Sequence, residues 1–217
     1  MLIKKTINRL VAIIAGIFFT LNLHAQTDEA VIVNVDNFVR AETAFQFDRV
    51  LTLVEGGEVN KFVHIREPIP LDKQTVIRMN RDTYYSAAVV DISKGATLTI
   101  PETNGRYVSA MIINEDHFNN KVYHKPGTYK LTMKEFGTPY VSVNLRILVD
   151  DLDSLDVKKV WAIQDGITIE AKSAKPYTHP NYDKVSYEAT YKPLIELSRG
   201  MPETSRMFGK EEDVDKV

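Results

Sequence analysis

Hydrophobic and polar positions change character three times along the chain. Over residues 34–54, Val35, Phe38, Val39, Phe45, Val50, Leu51 and Val54 recur at spacings of three and four, which predicts an amphipathic helix. Gly56 and Gly57 stop it, because paired glycines end a helix at little conformational cost. Residues 61–71, KFVHIREPIPL, are short and broken by Pro68 and Pro70, and read as a loop.

From Gln74 the texture becomes that of strands. Short runs rich in Val, Ile, Thr and Tyr fall at 74–79, 83–92, 96–101, 106–114, 127–133 and 139–149. Between them lie the turn stretches SKG, ETNG, KPG and FGTP. In YVSVNLRILV, Val141, Val143, Leu145, Ile147 and Val149 take one face, and Ser142, Asn144 and Arg146 the other. Close-set strands with turn punctuation predict an antiparallel sandwich or barrel. Helical spacing returns at 153–167, with Asp153 or Ser154 as cap, and at 182–200, where Pro193 is expected to kink or split the helix. Residues 171–181 read as a loop. The expected fold is therefore β-rich, with helices at both ends. Residues 26–73 form a helix and loop, 74–150 the antiparallel core, and 151–217 a helical end.

The first 25 residues change the picture of where the protein acts. Lys4, Lys5 and Arg9 precede an apolar run from Leu10 to Leu23 and the small-residue site at Ala25, the pattern of an export signal. The run is short for a transmembrane span, which takes about 20 residues. Cleavage after Ala25 and a periplasmic or secreted location are expected, with no membrane attachment afterwards. Its removal takes three of the 27 basic residues and no acid, leaving 24 against 29 acids, a net charge of −5. A mildly acidic exported chain is poorly suited to nucleic acid, whose phosphates need clustered cations. With no cysteine, stability must come from packing rather than disulfides.

Candidate chemistry concentrates where RMNRDTYY leads into a strand. Arg81 and Asp82 suit a polar ligand, a guanidinium fork for a carboxylate and a carboxylate for hydroxyls, with Tyr84 and Tyr85 as stacking surfaces. The same residues suit bracing, with Asn80 and Asp82 bonding turn amides and Arg81 paired internally. Arg106 follows the Asn104-Gly105 turn. Asp116 and His117 form a possible acid/base pair, although neighbours on a strand point to opposite faces. His117 and His124 flank the turn FNNKVY and can meet across it. No metal-binding spacing, GxSxG elbow, GxGxxG loop or P-loop occurs, so no metal or cofactor is expected. Ser86 and Ser109 read as core-edge hydroxyls. The acidic run VDDLDSLD fits a helix start better than a calcium loop. The aromatic loop KPYTHPNY reads either as a recognition loop or as one packed by its own rings.

Six ordered blocks carry a family resemblance: NFVRAET (37–43), MNRDTYYSAAVVDISKG (79–95), IPETNGRYVSAMIINEDH (100–117), GTYKLT (127–132), GTPYVSVNLRILVD (137–150) and AIQD (162–165). Together they resemble the bacterial family called domain of unknown function 1254. The resemblance implies a β-rich, jelly-roll-like sandwich domain of exported proteins. It also implies a continuation into a second β domain, domain of unknown function 1214, which makes that domain a possible partner. Pro139 stands where the family often has an arginine. Two functions follow as expectations. One is a cell-envelope binding module for a polar ligand, carbohydrate-like or carboxylate, built on Asn80, Arg81, Asp82, Tyr84, Tyr85, Arg106, Asp116 and His117. The other is a hydrolase of an envelope or extracellular polymer, with Asp82, Asp116 or His117 as acid or base.

Overall fold

Helix α1 (Phe38–Leu53) falls within the predicted 34–54 and ends just before the glycines, but it buries Ala41, Thr43, Ala44 and Phe47, while Val35 and Val39 of the predicted stripe stay exposed. Gly56 and Gly57 both take positive φ, 76° and 65°, a region that L side chains enter at a cost. The computed structural model describes residues 29–70, 72, 80–201, 206–207 and 209–214. The expected signal at 1–25 and the expected strand at 74–79 lie outside these residues. All elements below belong to one compact unit, Val31–Val217.

Eight strands build two antiparallel sheets. They are β1 (Val63–Ile65), β2 (Thr83–Asp91), β3 (Ala96–Ile100), β4 (Val108–Asn114), β5 (Asn119–Tyr123), β6 (Gly127–Leu131), β7 (Tyr140–Leu148) and β8 (Thr168–Ala171). The larger sheet runs β1-β2-β7-β4-β5 and the smaller β6-β3-β8. Central strand β7 pairs along its whole length with β2, from Thr83 opposite Leu148 to Asp91 opposite Tyr140. On its other side Val108 faces Ile147 and Asn114 faces Val141.

The alternation read from β7 holds. Val141, Val143, Leu145 and Ile147 point into the space between the sheets, where they meet Leu98, Ile100, Ile112 and Leu131. Full burial of such a side chain stabilises the fold by about 1.5–3 kcal/mol. Ser142, Asn144 and Arg146 point to the outer face.

Three expectations need correction. Residues 61–71 are not all loop, because β1 adds to the edge of β2 before Pro68 and Pro70, and an edge strand tolerates prolines beyond its end. FNNKVY is not a turn: Asn119–Tyr123 is strand β5, which sequence pattern hides because an outer strand need bury neither face. Strand β8 follows the helix at Ser154–Asp165 and lies on the open edge of the smaller sheet, so sheet residues extend past 74–150 on both sides.

Helix α2 (Met133–Phe136) is a single turn, capped by Thr132 and ended by Gly137 at φ 78°. Helix α3 (Ser154–Asp165) starts at Asp153, whose carboxylate accepts from Leu155 N at 2.9 Å. Its Val160 enters the core. Its Gln164, fully buried, donates to the backbone oxygen of Tyr85 at 3.1 Å and so ties the helix to β2. Helix α4 (Lys184–Ser198) is capped by Asp183 and continues through Pro193 without splitting. It packs on α1, with the Phe45 and Tyr187 rings edge to face at 4.9 Å.

Candidate functional site

The polar lead-in to β2 divides between bracing and surface. Asn80 Oδ1 accepts from the Asp82 amide at 2.6 Å, the turn-shaping role expected of it. The Asp82 carbonyl accepts from Val149 N at 2.9 Å and closes the β2–β7 ladder. Arg81 donates to the Ile69 carbonyl at 3.1 Å. Arg106 is engaged inside the fold: it forms a two-pronged ion pair with Asp156 and donates to the Leu148 carbonyl at 2.7 Å. That guanidinium holds the Asp156 carboxyl down at about 2. Arg81, Asp82 and Arg106 do line one depression of about 510 Å³, together with Asp150, Asp151, Asp153 and Asp156. Its charge is mostly negative, and its better-placed cation already has a partner.

Tyr84 and Tyr85 go opposite ways, as neighbours on a strand must. Tyr84 is 3% exposed and belongs to the core. Tyr85 lies on the outer face of the larger sheet, where the Arg146 guanidinium sits over its ring at 5.4 Å.

Asp116 and His117 occupy the β4–β5 turn, which Asn114 organises. Its Oδ1 accepts from Asp116 N and Phe118 N, and its amide donates to the Phe136 carbonyl at 3.0 Å. The two side chains diverge. Asp116 pairs with Arg40 at 2.8 Å. His117, at φ 66°, turns under α1, where its Nδ1 lies 2.9 Å from Thr43 Oγ1. Thr43 gives its one proton to the Val39 carbonyl, so Nδ1 is the donor and Nε2 is left as an acceptor. Burial pushes the His117 pKa down and favours the neutral ring.

Register separates Asp82 from Asp116. Asp82 lies beside Val149 and Asp116 lies past Asn114, which faces Val141. Eight residues of β7 at about 3.4 Å each set the two carboxylates roughly 27 Å apart. They cannot share one reacting bond.

What the fold does assemble is a groove of about 590 Å³ between α1 and the outer face of the larger sheet. Its roof is one stripe of α1, with Thr43, Gln46, Phe47 and Val50 at helical spacing. Its floor is three rungs of the sheet. Tyr85, Arg146 and Ser109 lie side by side on β2, β7 and β4. Asn144, Met111 and Val122 form the next rung, and Ser142 with Ile113 the third. His124 and Tyr107 stand at the Arg146 end, with ring centroids 6.5 Å apart, and His117 lines the groove as well. Of the eight site residues named from the sequence, Tyr85 and His117 line it, and Ser109 and His124 join them.

The other expectations resolve locally. Ser86 is buried and bonded to His64 Nδ1 at 2.8 Å, whereas Ser109 faces the groove. The aromatic loop packs on itself and the sheet, with Tyr177 edge-on to Tyr140 at 5.1 Å and Tyr182 stacked on His179 at 5.8 Å. No group of three or more His, Asp or Glu among the described residues is placed to hold a metal ion.

Sequence reasoning passed over Arg146, Asn144, Thr43 and Met111. The available signal was the polar row on β7: an arginine between strand partners on a face that α1 partly covers.

Comparison with known proteins places the chain. It matches the family described as Protein of unknown function (DUF1254) over residues 59–171, just over half of the 217 residues, and belongs to that family. The match contains the groove floor; α1, the roof, lies outside it. The crystal structure of the VPA0106 protein from Vibrio parahaemolyticus is similar in fold, at 15% identity and a TM-score of 0.55. The similarity covers 82% of this chain and 63% of that one, so this chain spans less than two thirds of its solved neighbour. Comparison with curated proteins gives no match.

Proposed function

We propose that the chain is a binding module of the cell envelope whose ligand is a small polar molecule bearing a carboxylate, seated in the groove under α1. The observation that carries this reading is the groove's charge. Its lining holds Arg146 and no acid. Arg146 has the Tyr85 ring as its partner and no acidic one among the described residues. A guanidinium stacked on an aromatic ring keeps its edge free for two parallel hydrogen bonds to a carboxylate. Ser109 and Asn144 beside it add neutral donors. Of the two ligand classes the sequence left open, the carboxylate is favoured, because hydroxyl-rich sugars call for acidic acceptors that this lining lacks. Envelope location rests on the signal-like pattern of residues 1–25.

The test is calorimetric titration of the full mature chain with a panel of carboxylates and their uncharged amides. Carboxylates should bind and amides should not, and Arg146→Ala should remove binding without moving the melting temperature by more than a degree or two. Equal binding of acids and amides, or undiminished binding by the variant, overturns the proposal.

A further inference from the structure

We infer that the ligand of this groove is an elongated amphiphile, an apolar stem ending in a single carboxylate, held with its carboxylate at Arg146 and its stem running along β4 toward His117. This rests on the carboxylate reading above and specifies it. The two rows of the floor differ in kind. Along β7 the groove presents Arg146, Asn144 and Ser142; along β4 it presents Ser109, Met111 and Ile113. Val122 widens the apolar row from β5. Phe47 and Val50 of α1 add apolar side chains to the roof. The floor therefore offers a polar edge and an apolar edge side by side, and a ligand polar all round would leave the apolar edge uncompensated.

The two ends also differ. Arg146, His124 and Tyr107 gather at one, where the charged group belongs. At the other, the His117 ring gives its Nδ1 proton to Thr43 and presents an acceptor, which repels a carboxylate. From the Arg146 rung to the Ile113 rung is four residues of strand, roughly 14 Å, so the groove favours an extended stem over a compact anion. The apolar cavity on the far side of His117, of about 590 Å³ and lined by Phe38, Phe118 and Leu194, lies beyond that end.

The experiment titrates the full mature chain with hexanoate, octanoate and decanoate, with decanol as the uncharged counterpart and glucuronate as a compact polar anion. Affinity should rise with chain length by up to roughly fourfold per methylene, with decanol and glucuronate far weaker. Met111→Gln and, on the exposed outer strand, Val122→Asn should flatten the chain-length slope while hexanoate binding persists. Urea midpoints show whether each variant is folded. Glucuronate binding that depends on Arg146, with decanoate no tighter than hexanoate, overturns the amphiphile and leaves the carboxylate site standing. Silence toward every anion overturns both. Decanol binding as tightly as decanoate overturns the assigned orientation.

Discussion

Replacing Arg106 by alanine separates bracing from binding at a residue that the sequence placed among the ligand contacts. In the fold, its guanidinium holds both oxygens of Asp156 and the Leu148 carbonyl, and the two side chains are 18% and 14% exposed. Truncation leaves a largely buried carboxylate without its cation and a carbonyl without its donor. Breaking a buried pair costs about 3–5 kcal/mol. Here Asp156 keeps the Asp150 amide at 2.9 Å and its place in the first turn of α3, whose dipole favours a negative charge, so we expect about 2–3 kcal/mol. At about 2–4 °C per kcal/mol for a domain of this size, the melting temperature should fall roughly 4–12 °C. The effect should depend on pH. The folded Asp156 value of about 2 lies below the ordinary carboxyl value, so the pair's contribution is complete above about pH 4 and is lost as pH falls through about 2. Thermal melts of native protein and variant at pH 7 and again near pH 2.5 should show a wide gap that narrows. A variant that melts with the native protein at pH 7 yet loses ligand binding would refute the bracing assignment.

Three further expectations follow from the same structure. His117 sits neutral under α1 with its pKa lowered by burial, so its contribution to stability is present above about pH 6.5 and declines as pH falls below it; His117→Gln should flatten the stability profile on that acid limb in urea titrations, and an unchanged slope would contradict the buried neutral ring. Gly137→Ala forces a side chain into φ 78° at the end of α2 and should cost about 1–2 kcal/mol by denaturant midpoint; a neutral result would show that the turn relaxes. Expressed in a bacterium, the exported chain should begin at Gln26 by N-terminal sequencing, and a chain recovered with Met1 intact would contradict the signal.

What was legible in the sequence followed from burial. β7 alternates cleanly because one face lies in the core, and α3 announces itself by its Asp153 cap; α1 was legible as a helix ended by glycines, but not in the face it buries. β1, β5 and β8 are outermost strands of three to five residues, where no buried face imposes a pattern on the residue choice. The groove was hidden for a related reason. Tyr85, Arg146 and Ser109 are 24 to 61 positions apart in the sequence and become neighbours through register alone. Tyr84 and Tyr85 looked equivalent as residue types, and only the pleat distinguishes a core ring from a groove ring. Arg106 and Asp82 drew attention because charges crowd there, although that crowding mostly closes a ladder and staples α3.

The most direct measurement of the central claim is a heteronuclear NMR titration of the mature chain with decanoate, reading backbone amides and the Arg146 Nε–H. We predict saturable shifts confined to Tyr85, Ser109, Met111, Val122, Asn144 and Arg146, with the residues around Arg81 and Asp156 silent. Shifts centred on Arg81, Asp82 and Asp156, with the sheet face under α1 unmoved, would contradict it.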